Sequence, residues 1–401
     1  MVDMKVNLGG LAMKNPVTTA SGTFAAGMEY ADFVDVAGLG AVTTKGVSLN
    51  GWEGNASPRI AETPSGMLNS IGLQNPGVAH LKEIELLWLA EQGATVIVNV
   101  SGHSFNEYVQ VIEALEDAPV DAYEVNISCP NVDAGGMTIG TDPRSVTEVV
   151  GLCRAATKRP LIVKLTPNVT DITEIARAAE AAGADALSLI NTLMGMAIDA
   201  ERRKPVLARV VGGFSGPAVK PVALRMVWEC HKAVKVPLLG MGGIATGTDA
   251  VEFMLAGATA VAVGTANFYN PRATEDVIAG IEDYCARHGI ERVTDKIRAL
   301  YDGNIQERRV GFTQIIEAVV AGSQNQAART VFERSLMNFQ LHRIDDCLLT
   351  HRFHDAAGTE HRKSANDADV WIERLFRGLF PTLDGNKHGK AAFILKCFGF
   401  F

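Results

Sequence analysis

Short apolar runs alternate regularly with longer helix-like stretches from near the N terminus to about residue 290. Eight of the runs have the length and composition of buried β-strands. These predicted strands are Val17–Ala20, Ala41–Val47, Ala94–Val100, Ala122–Ile127, Pro160–Leu165, Ala186–Ile190, Pro237–Gly240 and Ala260–Val263. Helical patterns such as Asp171–Gly183 and Pro217–Val234 lie between strands, and this alternation produces a parallel sheet covered by helices. Eight units over roughly 280 residues predict an α/β fold of the (β/α)8, or TIM, barrel type rather than an open doubly wound sheet.

Composition and charge narrow the class of protein. Among 401 residues, 47% hydrophobic and 20% charged residues are typical of a soluble globular protein with a large core. A net charge of −8 argues against nucleic acid or an anionic membrane as the main partner. The N terminus lacks the features of a signal peptide, and no apolar run approaches the ~18 residues of a membrane span. The six cysteines include no CxxC pair, so we predict a cytoplasmic protein with reduced thiols and no metal site.

The ends of the predicted strands indicate a functional site. A (β/α)8 barrel forms its active site at the C-terminal edge of its strands, and every predicted strand here ends in small, amide or cationic residues. In strand order these endings are Ser21-Gly22-Thr23, Thr44-Lys45-Gly46, Asn99, Asn126 with Cys129, Lys164, Asn191-Thr192, Gly242-Gly243 and Gly264-Thr265. Burying an unpaired lysine costs free energy of folding. Two lysines at the mouth of one barrel therefore indicate a functional site. Each lysine alone could equally be salt-bridged or snorkelling.

Glycines that follow the last two strands predict a phosphate site. Backbone N–H groups of glycine-rich turns approach phosphate oxygens closely, and a following helix N terminus favours negative charge. The residues expected to cradle one phosphate are Gly216, Gly242, Gly243, Gly264 and Thr265. The segment Gly240–Ala245 also matches a GxGxxA dinucleotide fingerprint, but it is seventh in a run of βα units and lacks a well-placed ribose acid. The pattern therefore favours a mononucleotide such as FMN, with ordinary turn glycines as the alternative.

The fourth predicted strand continues into the most specific motif of the chain, NISCPN at residues 126–131. An isolated cysteine is more often an inert core residue. Here, however, the thiol of Cys129, the hydroxyl of Ser128 and the amide of Asn126 come together at the end of one predicted strand. Together with Asp133-Ala-Gly-Gly136 and Gly140-Thr-Asp-Pro143, the motif resembles the catalytic strand and loop of class 1 dihydroorotate dehydrogenases. It is most similar to the NAD-linked class 1B catalytic subunit, and the resemblance covers about residues 4–298.

The resemblance implies an FMN enzyme of de novo pyrimidine (UMP) biosynthesis that oxidises (S)-dihydroorotate to orotate. In that family hydride passes from C6 to FMN while the cysteine, here Cys129, takes the C5 proton; Lys45 is the second catalytic position. The implied FMN-binding positions are Ser21, Lys45, Gly46, Asn99, Asn126, Lys164, Ile190, Gly216, Gly242, Gly243, Gly264 and Thr265. The implied substrate-binding positions are Lys45, Asn69, Ser70, Ile71, Gly72, Leu73, Asn126, Asn191 and Thr192.

Three expectations concern segments and side chains near this site. An unperturbed thiol with a pKa of ~8.5 is only ~3% thiolate at pH 7, so Cys129 needs help from substrate binding and loop closure. The glycine-containing segment Asn131–Thr141 is expected to act as that lid. The segment Asn55–Gly77 is long for a βα loop, and we interpret it as a functional loop on top of the barrel. Cys153, Cys230 and Cys285 lie on predicted helices and are interpreted as packing residues.

The electron acceptor and the class of reaction leave alternatives open. The chain offers no second dinucleotide site and no iron–sulfur cysteines, so NAD reduction implies a separate electron-transfer subunit. By resemblance that partner carries FAD and a [2Fe-2S] cluster, and this chain forms the homodimer core of a heterotetramer. The alternative within the family is class 1A, a homodimer that reduces fumarate. Outside it, a flavin-free phosphate-binding aldolase or isomerase and a non-catalytic barrel remain; dihydropyrimidine dehydrogenase shares the cysteine-bearing barrel but carries additional cofactor domains.

The sequence divides into a barrel domain, residues 1–300, and a C-terminal extension, residues 301–401. Phe312, Ile315, Ile316, Val319 and Val320 keep helical spacing, which predicts one amphipathic helix; the remainder is predicted to be partly helical or disordered. His351 and His354 lack a spaced thiol or carboxylate to complete a metal site. The extension is either a partner-docking segment or an out-of-frame read-through without selected function.

Overall fold

A computed structural model of the chain describes residues 2–127 and 139–296. They belong to one compact unit, Met1–Asn304, and the second unit, Ile305–Phe401, lies outside the described residues. The predicted helix near residues 312–320, the extension at 301–401 and most of the predicted lid Asn131–Thr141 therefore stay predictions. No helix within the described part of the chain is both long and apolar enough to cross a membrane.

Eight parallel strands form a closed barrel. In chain order the described strands are β1 Val6–Leu8, β2 Leu11–Met13, β3 Val17–Thr19, β4 Val42–Thr43, β5 Asn50–Trp52, β6 Ile60–Thr63, β7 Gly66–Asn69, β8 Asn75–Gly77, β9 Val96–Val100, β10 Ala122–Asn126, β11 Leu161–Lys164, β12 Ala186–Leu189, β13 Leu193–Met196, β14 Ile198–Asp199, β15 Lys204–Pro205, β16 Val211–Ser215, β17 Leu238–Met241 and β18 Ala260–Val263. The parallel sheet runs β3-β18-β17-β12-β11-β10-β9-β4. A parallel bridge between Thr18 and Ala41 joins its two ends, and Thr18 Oγ1 donates to the Ala41 carbonyl at 2.8 Å. The predicted barrel is confirmed.

All eight predicted strands are present, although the second is shorter than predicted. It ends at Thr43 instead of Val47, because Lys45 and Gly46 leave the ladder before Val47 makes an isolated bridge to Val100. This early departure frees the Lys45-Gly46 backbone from the sheet at the barrel mouth. The two residues that leave the strand early, Lys45 and Gly46, are residues that line the pocket.

Helices cover the outside of the barrel. They are α1 Ser21–Phe24, α2 Val78–His80, α3 Leu86–Gln92, α4 Phe105–Leu115, α5 Pro143–Ala156, α6 Ile172–Ala181, α7 Lys220–Ala233, α8 Gly247–Leu255, α9 Ala266–Tyr269, α10 Ala273–Arg287 and α11 Val293–Lys296, with a π-helical turn at Leu81–Glu85 and 3-10 turns at Met28–Tyr30, Val36–Gly38 and Pro217–Val219. In α6, Asp171 caps the first turn by accepting from Thr173 N at 2.8 Å. Gly183 follows this helix with a φ of +104°, which glycine adopts without strain.

Strand β10 shows how the barrel separates its two faces. Successive side chains of a strand point to opposite faces, and all five residues of β10 are buried. Tyr123 faces outward, where its hydroxyl donates to the Ile112 carbonyl of α4 at 3.4 Å. Glu124 faces inward, where it accepts from Ser188 Oγ of β12 at 2.7 Å. The interior of the barrel below the pocket is therefore polar at this level.

Two insertions build an antiparallel sheet on the barrel. The segment Asn55–Gly77, predicted as a functional loop on top of the barrel, contains a hairpin of β6 and β7 that joins β16 and β13 in the order β13-β16-β7-β6. The hairpin turns at Pro64-Ser65, and Ser65 has a φ of +59°. A Pro-Ser turn lacks the glycine that usually signals a two-residue hairpin, so sequence pattern alone did not indicate these strands. The second insertion, residues 193–215, was not predicted either.

Candidate active site

One pocket opens at the C-terminal edge of the barrel. Its empty space is about 1300 Å³ when the part open to solvent is included. The predicted site residues that line it are Ser21, Lys45, Gly46, Asn69, Ile71, Gly72, Leu73, Asn99, Asn126, Lys164, Ile190, Asn191, Thr192, Gly216, Gly242, Gly243, Gly264 and Thr265. The strand ends identified in the sequence therefore converge on one cavity.

Among the predicted site residues that the structure describes, Ser70 is the one that does not line this pocket. Ser70 is buried, and its hydroxyl oxygen lies 3.1 Å from the Asn55 amide nitrogen, which donates to it. Its side chain therefore packs behind the pocket wall. This arrangement does not favour the prediction that Ser70 contacts substrate. Cys129 falls outside the described residues, three positions after β10 ends at Asn126, and its role stays a prediction.

Lys164 sits at the bottom of the pocket in a buried polar network. Its Nζ lies 3.7 Å from Glu124 Oε2, and the two side chains are 6% and 1% exposed. Lys164 Nζ also donates to Ser21 Oγ at 3.4 Å. The other contacts of the network are Asn99 Nδ2 donating to Glu124 Oε2 at 2.5 Å, Ser188 Oγ donating to Glu124 Oε1 at 2.7 Å and Asn126 Nδ2 donating to Asn99 Oδ1 at 3.3 Å. Buried charges persist only when they are paired in this way.

Sequence reasoning missed Glu124 and Ser188 although a signal for Glu124 was present. Glu124 lies two residues before Asn126 on one strand, so the two-residue period of a strand places both side chains on the same face. The ladder pairs Glu124 with Asn99 and Asn126 with Lys164. A charged residue at an inward position of a barrel strand therefore marked the network before the structure did.

The glycines of the predicted phosphate cradle allow close backbone approach. A Cβ on Gly243, which has a φ of +80°, would lie 2.9 Å from the Gly216 carbonyl oxygen and 2.9 Å from the Lys220 nitrogen. Gly216 and Gly242 also have positive φ values, of +103° and +123°. Within the described residues, the N–H groups of Gly216, Gly243 and Gly264 donate to no protein acceptor. Free backbone donors that side chains would obstruct are what a bound phosphate requires, so the residues present fit a mononucleotide.

The helix that follows the seventh barrel strand is not available to that phosphate. Asp249 Oδ2 accepts from Ala245 N at 3.1 Å and from Thr246 N at 2.9 Å, and Thr246 caps the same turn. Lys220 Nζ in turn donates to Asp249 Oδ1 at 2.6 Å, and these contacts hold the pKa of Asp249 below its ordinary value although burial opposes the shift. The carboxylate of Asp249 therefore occupies the N terminus of α8, where a phosphate would otherwise gain from the helix dipole. The phosphate cradle consequently depends on the N–H groups of the turns.

The antiparallel sheet forms one side of the pocket. Asn69 Nδ2 donates to the Gly213 carbonyl at 3.3 Å, and a Cβ on Gly213 would overlap Thr192 Oγ1. Thr265 Oγ1 donates to Ser215 Oγ at 2.8 Å, which ties this sheet to the end of the eighth barrel strand. Further lining residues that sequence reasoning missed include Ile60, Met67, Phe214, Ser215, Phe268 and Tyr269. No local signal identified the first four, because their place depends on how the two insertions pair. Phe268 and Tyr269 lie on α9, directly after the eighth barrel strand.

The three described cysteines are structural. Cys153, Cys230 and Cys285 are buried free thiols, which confirms that they pack in the core. Burial raises the pKa of Cys153 and of Cys230 to about 12, and it also raises the pKa of Cys285. None of them is a useful thiolate near neutral pH. Among the described residues no group of three or more His, Cys, Asp or Glu is placed to hold a metal ion.

Comparisons with known proteins agree with this geometry. A family model described as "Dihydroorotate dehydrogenase" matches residues 3–284. A protein of Alkaliphilus metalliredigens named "Dihydroorotate dehydrogenase B (NAD(+)), catalytic subunit" is 60% identical over 290 residues, which are 72% of this chain and 96% of that protein. A Bacteroides fragilis protein with the same name is 56% identical over 301 residues, 75% of this chain and 99% of that protein. The chain belongs to the dihydroorotate dehydrogenase family.

Proposed function

We propose that this chain is the FMN-dependent catalytic subunit of an NAD-linked dihydroorotate dehydrogenase and oxidises (S)-dihydroorotate to orotate in pyrimidine biosynthesis. The observation that carries the proposal is the convergence in one pocket of two lysines, several side-chain amides and glycine turns with free N–H groups. A flavin-free aldolase would need one lysine as a Schiff-base amine, whereas Lys164 Nζ lies 3.7 Å from the buried Glu124 carboxylate. The names of the relatives support the same reading.

The FMN side of the pocket is assigned to the barrel strands. Gly216, Gly242, Gly243, Gly264 and Thr265 would bind the phosphate through their backbone N–H groups. Lys45, Gly46, Asn99 and Lys164 would contact the ring system, with Ser21 and Ile190 beside it. When bound, FMN would accept the hydride that leaves C6 of dihydroorotate. The two ammonium groups would favour the negative charge that the ring gains on reduction.

The substrate side is assigned to the antiparallel sheet and the neighbouring strand ends. Dihydroorotate is a ring rich in amide groups with one carboxylate, and the amides of Asn69, Asn126 and Asn191 can both donate to it and accept from it. Lys45 lines the same pocket and would contact both ligands, where it would pair with negative charge. Leu73 has a φ of +53°, a strained conformation of the kind that accumulates at ligand-binding segments.

Cys129 is proposed as the base. Its thiolate would take the C5 proton while the C6 hydride departs, and the electron pair of the broken C5–H bond would form the C5=C6 double bond of orotate. The buried thiols Cys153, Cys230 and Cys285 are held protonated and are not candidates. In the sequence, Cys129 follows the end of β10 by three residues. This strand carries the inward residues Glu124 and Asn126, and the proximity in sequence supports the assignment.

Electrons leave the site through a partner in this proposal. The relatives are named catalytic subunits of NAD(+) enzymes, and we infer that a separate subunit with FAD and a [2Fe-2S] cluster passes electrons to NAD. The expected assembly is a homodimer of this chain within a heterotetramer. We place it in the cytoplasm, where buried free thiols such as the described ones persist.

An anaerobic visible spectrum tests the proposal. The purified full chain, reconstituted with FMN if needed, is recorded before and after (S)-dihydroorotate is added. A flavin band that bleaches is the expected result. A flavin band that dihydroorotate leaves unchanged would contradict the substrate assignment, and a chain that takes up no FMN would contradict the proposal as a whole.

The acceptor is tested with the same reduced protein. We expect that neither NAD nor fumarate reoxidises the isolated chain rapidly, and that NAD does so once the electron-transfer subunit is added. Rapid reoxidation by fumarate alone would instead identify a class 1A enzyme. The full chain is used in each arm because residues 301–401 are part of the protein as it exists.

A further inference from the structure

Glu124 is a buried carboxylate for which the proposed reaction has no use. It is 1% exposed and lies on the inner face of β10, beneath the pocket. Asn99 and Ser188 each donate one hydrogen bond to it, and the Lys164 ammonium lies 3.7 Å from its Oε2. These three partners come from three other barrel strands, β9, β12 and β11.

The pair is poorly explained as a stabilising device. Replacing a buried ion pair with apolar side chains of similar volume is often neutral or favourable for stability, and barrel interiors are usually filled with branched apolar residues. Glu124 does not line the pocket, whereas its partners Lys164 and Asn99 do, so Glu124 acts on a ligand through these partners. The arrangement suits a role in which Glu124 offsets the positive charge of Lys164.

We propose that Glu124 is a positioning residue that fixes the Lys164 ammonium at the flavin side of the pocket and limits the positive charge felt there. This inference rests on the proposed function, because it requires FMN in the pocket. With the carboxylate in place, the opposite charges of the two side chains offset each other at a separation of 3.7 Å. Without it, Lys164 contributes a whole positive charge in a site of low dielectric, which favours the negative charge of the reduced ring.

The consequence concerns the reduction potential of bound FMN. Glu124 keeps the potential of bound FMN lower than two lysines alone would set it, which helps electrons to leave for an acceptor of low potential. The substitution Glu124→Gln keeps the shape and both hydrogen bonds, because the Gln carbonyl oxygen can accept from Asn99 and its amide can donate to the Ser188 hydroxyl. It removes only the charge.

The test is the two-electron midpoint potential of bound FMN, measured anaerobically against a reference dye. We expect Glu124→Gln to raise it by 30 mV or more, since a tenfold change in the equilibrium of a two-electron couple is 29.6 mV. The matched control is Ser188→Ala, which removes one hydrogen bond to Glu124 but leaves the charge; its potential is expected to stay within about 10 mV of the native value. A Gln variant with the native potential or a lower one would overturn the inference.

A second variant decides the case if Glu124→Gln does not retain FMN. Glu124→Asp withdraws the carboxylate from Lys164 by one methylene group, so the potential must still rise, by about threefold in the reduction equilibrium, or roughly 15 mV. An Asp variant with the native potential would also overturn the inference. Failure of the proposed function is distinct, because it appears in the native chain as a missing flavin or a flavin that dihydroorotate does not bleach.

Discussion

Lys164→Met is the substitution for which the structure gives the clearest magnitude. It removes the ammonium but keeps most of the side-chain volume, and it leaves Glu124 as a carboxylate that is 1% exposed. At the observed separation of 3.7 Å, the lost attraction is about 4.5 kcal/mol at an effective dielectric constant of ~20. Breaking a buried pair by removing one partner typically costs ~3–5 kcal/mol. Because Asn99 and Ser188 still donate to the carboxylate, we expect the lower part of that range, about 3–4 kcal/mol.

The measurement is thermal and urea unfolding of the full chain without cofactor, so that FMN affinity does not enter. For about 300 residues, an unfolding entropy of ~2.1 cal/mol/K per residue converts the expected loss into a fall in Tm of about 5–6 °C. Lys220→Met is the matched control, because Lys220 contacts Asp249 and Glu252 but its side chain is 25% exposed. A partly exposed pair contributes no more than about 1 kcal/mol.

A double variant provides the refutation. In Lys164→Met with Glu124→Gln no buried charge is left unpaired, so at least about 2 kcal/mol of the single-variant loss should return. Independent sites add within about 0.5 kcal/mol. If the loss in the double variant equals the sum of the two single losses, Lys164 and Glu124 do not act as a pair, and the electrostatic argument for the pocket fails with them.

Three further variants test individual parts of the proposed site. Cys129→Ser is expected to slow anaerobic flavin reduction by ~10²–10⁴-fold, and the native rate should rise with pH up to about 8.5, because an ordinary thiol gains thiolate over that range; a native rate in the variant, by stopped flow, would exclude Cys129 as the base. Gly243→Ala is expected to weaken FMN binding at least ~tenfold, since its φ of +80° and its Cβ 2.9 Å from the Gly216 carbonyl both strain the cradle; fluorescence titration with unchanged affinity would argue against the cradle. Gly213→Ala would overlap Thr192 Oγ1 and is expected to raise the KM for dihydroorotate while FMN affinity stays native; an unchanged KM would remove the antiparallel sheet from the substrate site.

The glycine variants share one control. Gly151 lies in α5, and a Cβ there meets no heavy atom within 4 Å. Gly151→Ala should therefore leave FMN affinity and KM unchanged and stabilise the fold slightly, by about 0.5–1 kcal/mol. This separates the loss of a glycine in general from the loss of a glycine at the site.

The sequence by itself determined the barrel and the positions of most pocket residues. Strand identity depends on short apolar runs, helix identity on spacing and caps such as Asp171, and the parallel barrel follows from their alternation. Once the barrel is known, its geometry brings all the strand ends to one edge. Local pattern was therefore enough to place Lys45, Asn126 and Lys164 at one pocket.

Only the tertiary structure decided which groups contact one another across the barrel. Asn69 and Gly213 are 144 residues apart and meet because two insertions pair as antiparallel strands, which no local pattern specifies. Ser70 turns away from the pocket to bind Asn55, although its neighbour Asn69 faces it. The Glu124–Lys164 pair likewise follows from strand register, because register fixes which inward side chains lie within reach of each other. Contacts between distant segments depend on the closed sheet as a whole, and this is the physical reason that the charge of the site could not be read from sequence alone.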